Sequence, residues 1–289
     1  MANSISLVTK FLAILDEVYK KNSLTARFDS PTKPVEFGGA SAVNVLKLSS
    51  VGLGTYSRST GYPAGDVTAA WETLTLTSSR GRALSIDRMD NEETLGMAFG
   101  RLADEFMRVN VAPEVDAYRF SKYASWSGIS SPSQAALADA AAVLAALRVA
   151  TNTMDEDEVP EDGRALYITP TLLGYVEDSD TTKSREVLAR FSEIIRVPQS
   201  RFYKGVTLDA GSTSSAGGYS KTSSTGRDLN FMVIHPTAVL QAVKHDNMKY
   251  FSPDENQTAD AHMLQYRLYH DAFVYENHVD GIYAHVKNS

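Results

Sequence analysis

The 289-residue sequence contains no cysteine, which excludes disulfides, thiolate metal centres and thiol nucleophiles together. It also lacks a long apolar run. The apolar patch at residues 11–15 is interrupted by Lys10 and Asp16, too short for a membrane span and too poorly flanked for a signal peptide. Basic residues are in deficit: 28 Lys and Arg stand against 35 Asp and Glu, a formal charge of -7, so gripping phosphates is not the main task of this chain. Such an acidic balance favours solubility and keeps the surface from adhering to DNA.

Catalytic signatures are missing as well. Gly52 and Gly54 begin like a dinucleotide loop, but Ser57 takes the third glycine position. No Walker lysine, G-x-S-x-G elbow or H-E-x-x-H pair occurs. The six histidines (His235, His245, His262, His270, His278 and His285) are spread over the last fifth of the chain at spacings that make no metal site. His270 and Asp271 are adjacent, a base and orienter without a serine partner. The acidic run at 155–162 (DEDEVPED) has no EF-hand spacing and reads as a solvated turn. The sequence therefore points to no enzyme, no cofactor and no metal.

What is present is a globular composition, 43% hydrophobic and 22% charged, with enough length for one large domain or two smaller ones. Leu7, Phe11, Ile14 and Val18 share one helical face, an amphipathic arm that needs a protein surface to cover it. Residues 23–41 read as an irregular connection. Residues 42–48 and 71–78 alternate as strands around a long Ser/Gly/Thr-rich tip, which predicts a projecting hairpin that docks on a neighbour.

The stretch 80–120 organises the rest. Leu84 and Ile86 face one way in a half-buried strand, and Asp90 with Glu93 forms a helix cap. Leu95, Phe99, Leu102, Phe106 and Val109 then make a stripe along a long helix. Gly96 and Gly100 lie off that stripe, and Pro113 starts a second helical segment on which Val115, Tyr118 and Lys122 share a face.

Further on, the alanine-rich segment 133–151 predicts a helix with Leu137, Ala141, Leu144 and Arg148 on one face. A buried strand is expected at 164–169 and a short helix from Pro170 to Val176. Residues 184–197 fit a helix or a strand. Residues 211–226 read as a flexible polar loop, 229–235 as a core strand, and 236–244 as a helix. The aromatic-rich tail from Lys249 onward folds back into the body.

In this order the parts resemble the major capsid proteins of tailed bacteriophages, which share the Hong Kong 97 fold. Residues 80–94 (RGRALSIDRMDNEET) look like the return strand of that family's extended loop entering its spine helix. Residues 111–124 (VAPEVDAYRFSKYA) are similar to its spine region, and 266–285 (YRLYHDAFVYENHVDGIYAH) to its closing strands. The resemblance implies an α+β chain: N-terminal arm 1–41, extended β-hairpin loop 42–82, peripheral domain 83–130 with the spine helix, axial domain 131–250, and closing strands 251–289 returning to the peripheral domain.

It further implies hexamers and pentamers of the chain in an icosahedral shell around double-stranded DNA held without sequence-specific contacts. The shell would be assembled in a host bacterial cytoplasm and located in the virion, without a membrane. Portal and decoration proteins are possible further partners. The short N-terminus leaves no room for a scaffold-like segment, so scaffolding is expected from a separate protein or none. An encapsulin-type compartment shell is the alternative within the same fold. Arg58, Tyr62, Arg80, Arg82, Arg88, Glu92 and Glu93 are the candidates for contacts between subunits.

Overall fold

A computed structural model describes residues 23–29, 36–37, 41–89, 103–131, 135–179, 181–211 and 216–288. The amphipathic arm, the Asp90–Glu93 cap, Gly96, Gly100 and the stripe positions Leu95, Phe99 and Leu102 lie outside the described residues.

Near the N-terminus β1 (Glu36–Phe37), β2 (Ala42–Ser50) and β3 (Val67–Thr75) form one antiparallel sheet in that order. The two long strands pair from Ala42–Thr75 at the root to Ser50–Val67 at the far end, which is the expected hairpin. The next strand, β4 (Ser78–Asp87), leaves it. It pairs along its whole length with β12 (Ala261–Val274), which in turn pairs with β11 (Val239–Phe251). Residues 80–87 are therefore not the return strand of the hairpin, which is β3. Thr77 and its neighbours turn the chain from one sheet into the other.

Residues 103–125 form one continuous helix, running through a π-helical turn at Met107–Val111 into α1 (Ala112–Ser125). One expectation is corrected here. Val109 is exposed, and the face packed on the β4–β12–β11 sheet is instead Ala103, Met107, Val111 and Val115, with Phe106 half-buried beside them. Those four recur at i, i+4. A regular helix carries each such step 40° past a full turn, and the wider π turn absorbs part of that drift. Pro113 lies where expected, in the first turn of α1 just after the π turn, where a missing N–H breaks no regular ladder.

The central sheet has the order β13 (Ile282–Val286), β10 (Arg227–Ile234), β5 (Ala165–Ile168), β6 (Glu193–Arg196), with β7 (Tyr203–Lys204) also on β10. Both of its faces are covered, so β5 and most of β10 read as nearly unbroken apolar runs. Leu166, Ile168, Phe231 and Val233 face the helices α2 (Ala140–Glu156), α3 (Pro170–Ser179) and α4 (Thr182–Leu188). The alternate residues Ala165, Tyr167, Met232 and Ile234 face Phe120 and Tyr123 of α1, together with Phe28 and Phe202. The parallel pair β5–β6 is joined through α3 and α4, which resolves residues 184–197 into the end of a helix followed by a strand.

Other expectations shift. α2 starts later than predicted, at the Asp139 cap whose carboxylate accepts from Ala142 N at 2.7 Å, and its inner face is Val143, Leu147, Ala150 and Met154. Residues 236–244 form no helix. One 3-10 turn (Pro236–Ala238) leads into β11, whose first residues are buried against β12. Part of the polar loop 211–226 is a strand, β9 (Gly218–Lys221), paired with β8 (Val206–Asp209) in a short ribbon.

Candidate functional site

The hairpin has two faces of different fate. Near its root, Val43 and Leu74 are buried with Leu76 against Leu240, Ala242, Phe273 and Tyr275. On the opposite face Leu46 lies across from Trp71 and Leu48 across from Ala69, and nothing among the described residues covers them: Leu46 is 53% exposed and Trp71 63%. Exposure increases outward. At the tip Leu53 projects wholly into solvent, and Tyr62, 88% exposed, packs its ring on that of Tyr56 at 5.0 Å between centroids. Ser57 and Gly61 close the turn with reciprocal backbone hydrogen bonds of 3.2 and 2.8 Å. Large apolar side chains standing together on a two-stranded projection form a contiguous apolar surface, the kind that marks an interaction site.

A buried carboxylate holds the root. Asp271 on β12 accepts from Thr77 N (2.8 Å), Thr77 Oγ1 (2.7 Å) and the Tyr118 hydroxyl (2.9 Å), and Lys122 Nζ lies 3.6 Å away. It thus ties the hairpin exit, α1 and the long sheet at one point. Burial pushes the Tyr118 hydroxyl well above its ordinary value, so it stays a donor. His270 turns its ring edge to Tyr118 at 5.4 Å, and burial chiefly, with Arg119 nearby, pushes its pKa down to about 3. It is a neutral core histidine. Lys47 adds a second tie, pairing with Glu276 and lying 3.8 Å from Glu72.

A similar carboxylate fixes the segment that follows residue 22. Asp116 of α1, fully buried, accepts from Ser23 Oγ, the amides of Leu24 and Thr25, and Thr25 Oγ1 at 2.8–3.2 Å. Arg119 reaches Thr25 Oγ1 at 2.9 Å and Asp29 at 2.8 Å. Neither anchor was legible in the sequence, where Asp116 and Asp271 sit among ordinary helix and strand residues.

The contact candidates separate. Arg58 and Tyr62 stand exposed near the hairpin tip. Arg80 is committed within the chain, bound by two nitrogens to Glu114 (2.6 and 3.1 Å) and donating to the carbonyls of Asp209 and Gly218. Arg88 lies 3.6 and 3.7 Å from Asp254 and Asp260. Arg82 points toward the end of the β8–β9 ribbon, and Glu92 and Glu93 lie outside the described residues.

The acidic run is more than a solvated turn. Asp155 takes Arg164 at 2.8 Å and Arg190 at 2.6 Å, and Glu161 takes Arg190 at 3.0 Å. Desolvation pushes the Asp155 carboxyl up, and the hydrogen bonds from the two arginines outweigh this and hold it below its ordinary range. Arg164, fully buried, also donates to the carbonyls of Val159 and Pro160. Among the described residues no group of three potential ligands could hold a metal ion, and no helix is long and apolar enough to cross a membrane.

No protein-family model matches this sequence, and no curated protein does. Solved structures do. The capsid of the cyanophage P-SCSP1u superposes with a TM-score of 0.58 at 14% identity, over 88% of this chain and 85% of that one. The mature capsid of bacteriophage PhiM1 gives 0.58 at 12% identity, over 88% and 84%. This chain has the phage capsid fold. A virus-like particle from Pyrococcus furiosus shares it, with a TM-score of 0.60 at 11% identity over 96% of this chain and 98% of that one. Within the capsid fold the hairpin, its two anchors and the long sheet are parts of one body, with the apolar face of the hairpin turned away from it.

Proposed function

We propose that the chain is a capsid protein, a shell subunit that assembles with its own copies through hexamers and pentamers into an icosahedral head enclosing double-stranded DNA. Its role is structural, not enzymatic. The observation that carries this reading is the hairpin: Leu46, Leu48, Trp71, Leu53 and Tyr62 expose apolar surface that has no partner among the described residues, on a fold found in capsids. A surface of this kind calls for a second molecule, and in a closed lattice each copy supplies one to the next. Many small contacts of this type multiply over a shell.

In this reading residues 1–41 are an arm, the hairpin at 42–75 is the extended loop laid on a neighbour, β4, β11 and β12 with the helix at 103–125 make up a peripheral domain, and the central sheet with α2, α3 and α4 makes up an axial domain. Arg58 and Tyr62 meet another copy, and Glu92 and Glu93 remain candidates for the same task. Scaffolding, portal and decoration proteins, if used, are separate chains. The particle is the virion, formed in the bacterial cytoplasm.

The test is electron microscopy of the purified protein beside a variant with Leu53, Tyr56 and Tyr62 changed to Ser. Closed shells are expected from the first and free subunits with an unchanged circular dichroism spectrum from the second. Shells from both at the same protein concentration would remove the hairpin from assembly. The Pyrococcus virus-like particle, matched over nearly its full length, fits equally a second reading, an encapsulin-type compartment shell. Nucleic acid inside purified particles supports the phage reading, and an all-protein filling supports the other.

A further inference from the structure

A cavity of about 330 Å³ lies between the inner face of β4, the helix and the end of the β8–β9 ribbon. This is within the range of small-ligand sites, roughly 300–1,000 Å³. Its floor is apolar: Leu84, Phe106, Val111, Val115, Tyr266 and Leu268 line it, with the Phe106 and Tyr266 rings edge to face at 6.1 Å. The rim carries charge. Arg80 and Glu114 neutralise each other there, and the Asp209 carbonyl completes the Arg80 contacts.

Arg82 is different. Among the described residues no carboxylate or carbonyl engages its guanidinium, although the chain as a whole is acidic. Two glycines make room for it. A Cβ on Gly211 would lie 2.6 Å from Arg82 Nη1 and one on Gly217 would lie 3.4 Å from it, and both glycines have positive φ (+68° and +80°). Any side chain at Gly211 would displace the guanidinium. The ribbon end thus leaves room for a cation that no described residue pairs with, at the mouth of an apolar cleft.

We propose that this cleft binds a molecule with an apolar body and a single carboxylate. The body occupies the floor formed by Leu84, Phe106 and Leu268, and the planar guanidinium of Arg82 takes the carboxylate, the acid group it matches geometrically. A free fatty-acid-like carboxylate and the carboxyl terminus of a peptide ending in a large apolar residue share this chemistry. Asp209, the other carboxylate residue on the rim not neutralised by an ion pair, opposes the ligand charge. The proposal does not depend on assembly, since every residue in it belongs to one chain.

Equilibrium dialysis of the full chain tests it with two probes, decanoate below its micellar concentration and the peptide acetyl-Ala-Ala-Phe with a free carboxyl end. Saturable binding of at least one is expected, with one site per chain. Binding of decanoate alone identifies a lipid-like acid, and binding of the peptide identifies a protein terminus. The neutral counterparts, decanol and the amidated peptide, should bind at least 10-fold more weakly, and Arg82→Gln should weaken the acid by a similar factor while leaving the neutral probe unchanged. Asp209→Asn, an exterior change that does not depend on the fold tolerating the loss of Arg82, should tighten the acid several-fold. No saturable binding of either acid, or equal affinity in wild type and Arg82→Gln, would overturn the assignment.

Discussion

Asp271 and Asp116 show what a single residue can carry in this chain. Each is a buried carboxylate surrounded by donors from segments distant in sequence, and each joins α1 to a part of the chain that would otherwise be loosely held. Changing Asp271 to Asn replaces an acceptor-only group by one that must aim a donor at Thr77 N or Tyr118. Burying such a mismatch costs about 2–3 kcal/mol, read as a lower urea midpoint with unchanged slope. His270 sets a pH dependence. Its folded pKa, about 3, lies below the ordinary 6.5, so between these values the unfolded chain binds a proton there that the folded chain does not. Stability then falls as pH drops from 6.5 toward 3, by up to about 1.4 kcal/mol per pH unit. Urea titrations at several pH values should show a steeper fall for wild type than for His270→Gln. Asp155 works in the same direction at lower pH: its folded pKa is depressed, so its contribution is lost as pH falls through that value.

At the scale of elements, the helix preceding α1 exchanges two residues: sequence periodicity puts Val109 on the inner stripe and leaves Met107 off it. Met107 is buried and Val109 exposed because the π turn resets the face presented to the sheet. Met107→Asp should therefore cost more than about 3 kcal/mol by burying an unpaired charge, and Val109→Asp should stay within about 0.5 kcal/mol. Denaturation of the pair checks the register directly, since equal costs would contradict the packing of this helix. The same physics explains which elements could be read in advance. β5 and β10 are covered on both faces, so their buried residues run nearly unbroken in the sequence. Residues 236–244 read as a helix in the sequence, but from Val239 the chain finds its partner in β12, more than ten residues further on, and cross-strand pairing overrides local preference.

For the whole molecule, the decisive feature is that the apolar cores account for the body and leave the outer hairpin out. Tip residues from Val51 to Asp66 bury nothing of note in those cores. Replacing residues 51–66 by an Asn-Gly turn should leave the melting temperature within a few degrees, because the flanking strands then close on a two-residue turn. Association should nevertheless be abolished, as read by sedimentation velocity. A drop of more than about 10 °C would mean that the tip supports the fold itself. Contact candidates divided along the same line: Arg58 and Tyr62 project from the hairpin, whereas Arg80, predicted for another copy, spends its guanidinium on Glu114 and the ribbon.

The sequence by itself determined the alternation of the hairpin strands, the doubly buried central strands, the folded aromatic tail and the absence of thiol chemistry. These depend on residue type and on periods of two or 3.6 residues, which are local quantities. Only the tertiary structure decided that β4 leaves the hairpin for β12, that residues 218–221 form a ribbon strand, and that Asp116 and Asp271 become anchors. A strand without its partner and a carboxylate without its donors have no local signature. Their state is fixed by hydrogen bonds to segments as much as 194 residues away.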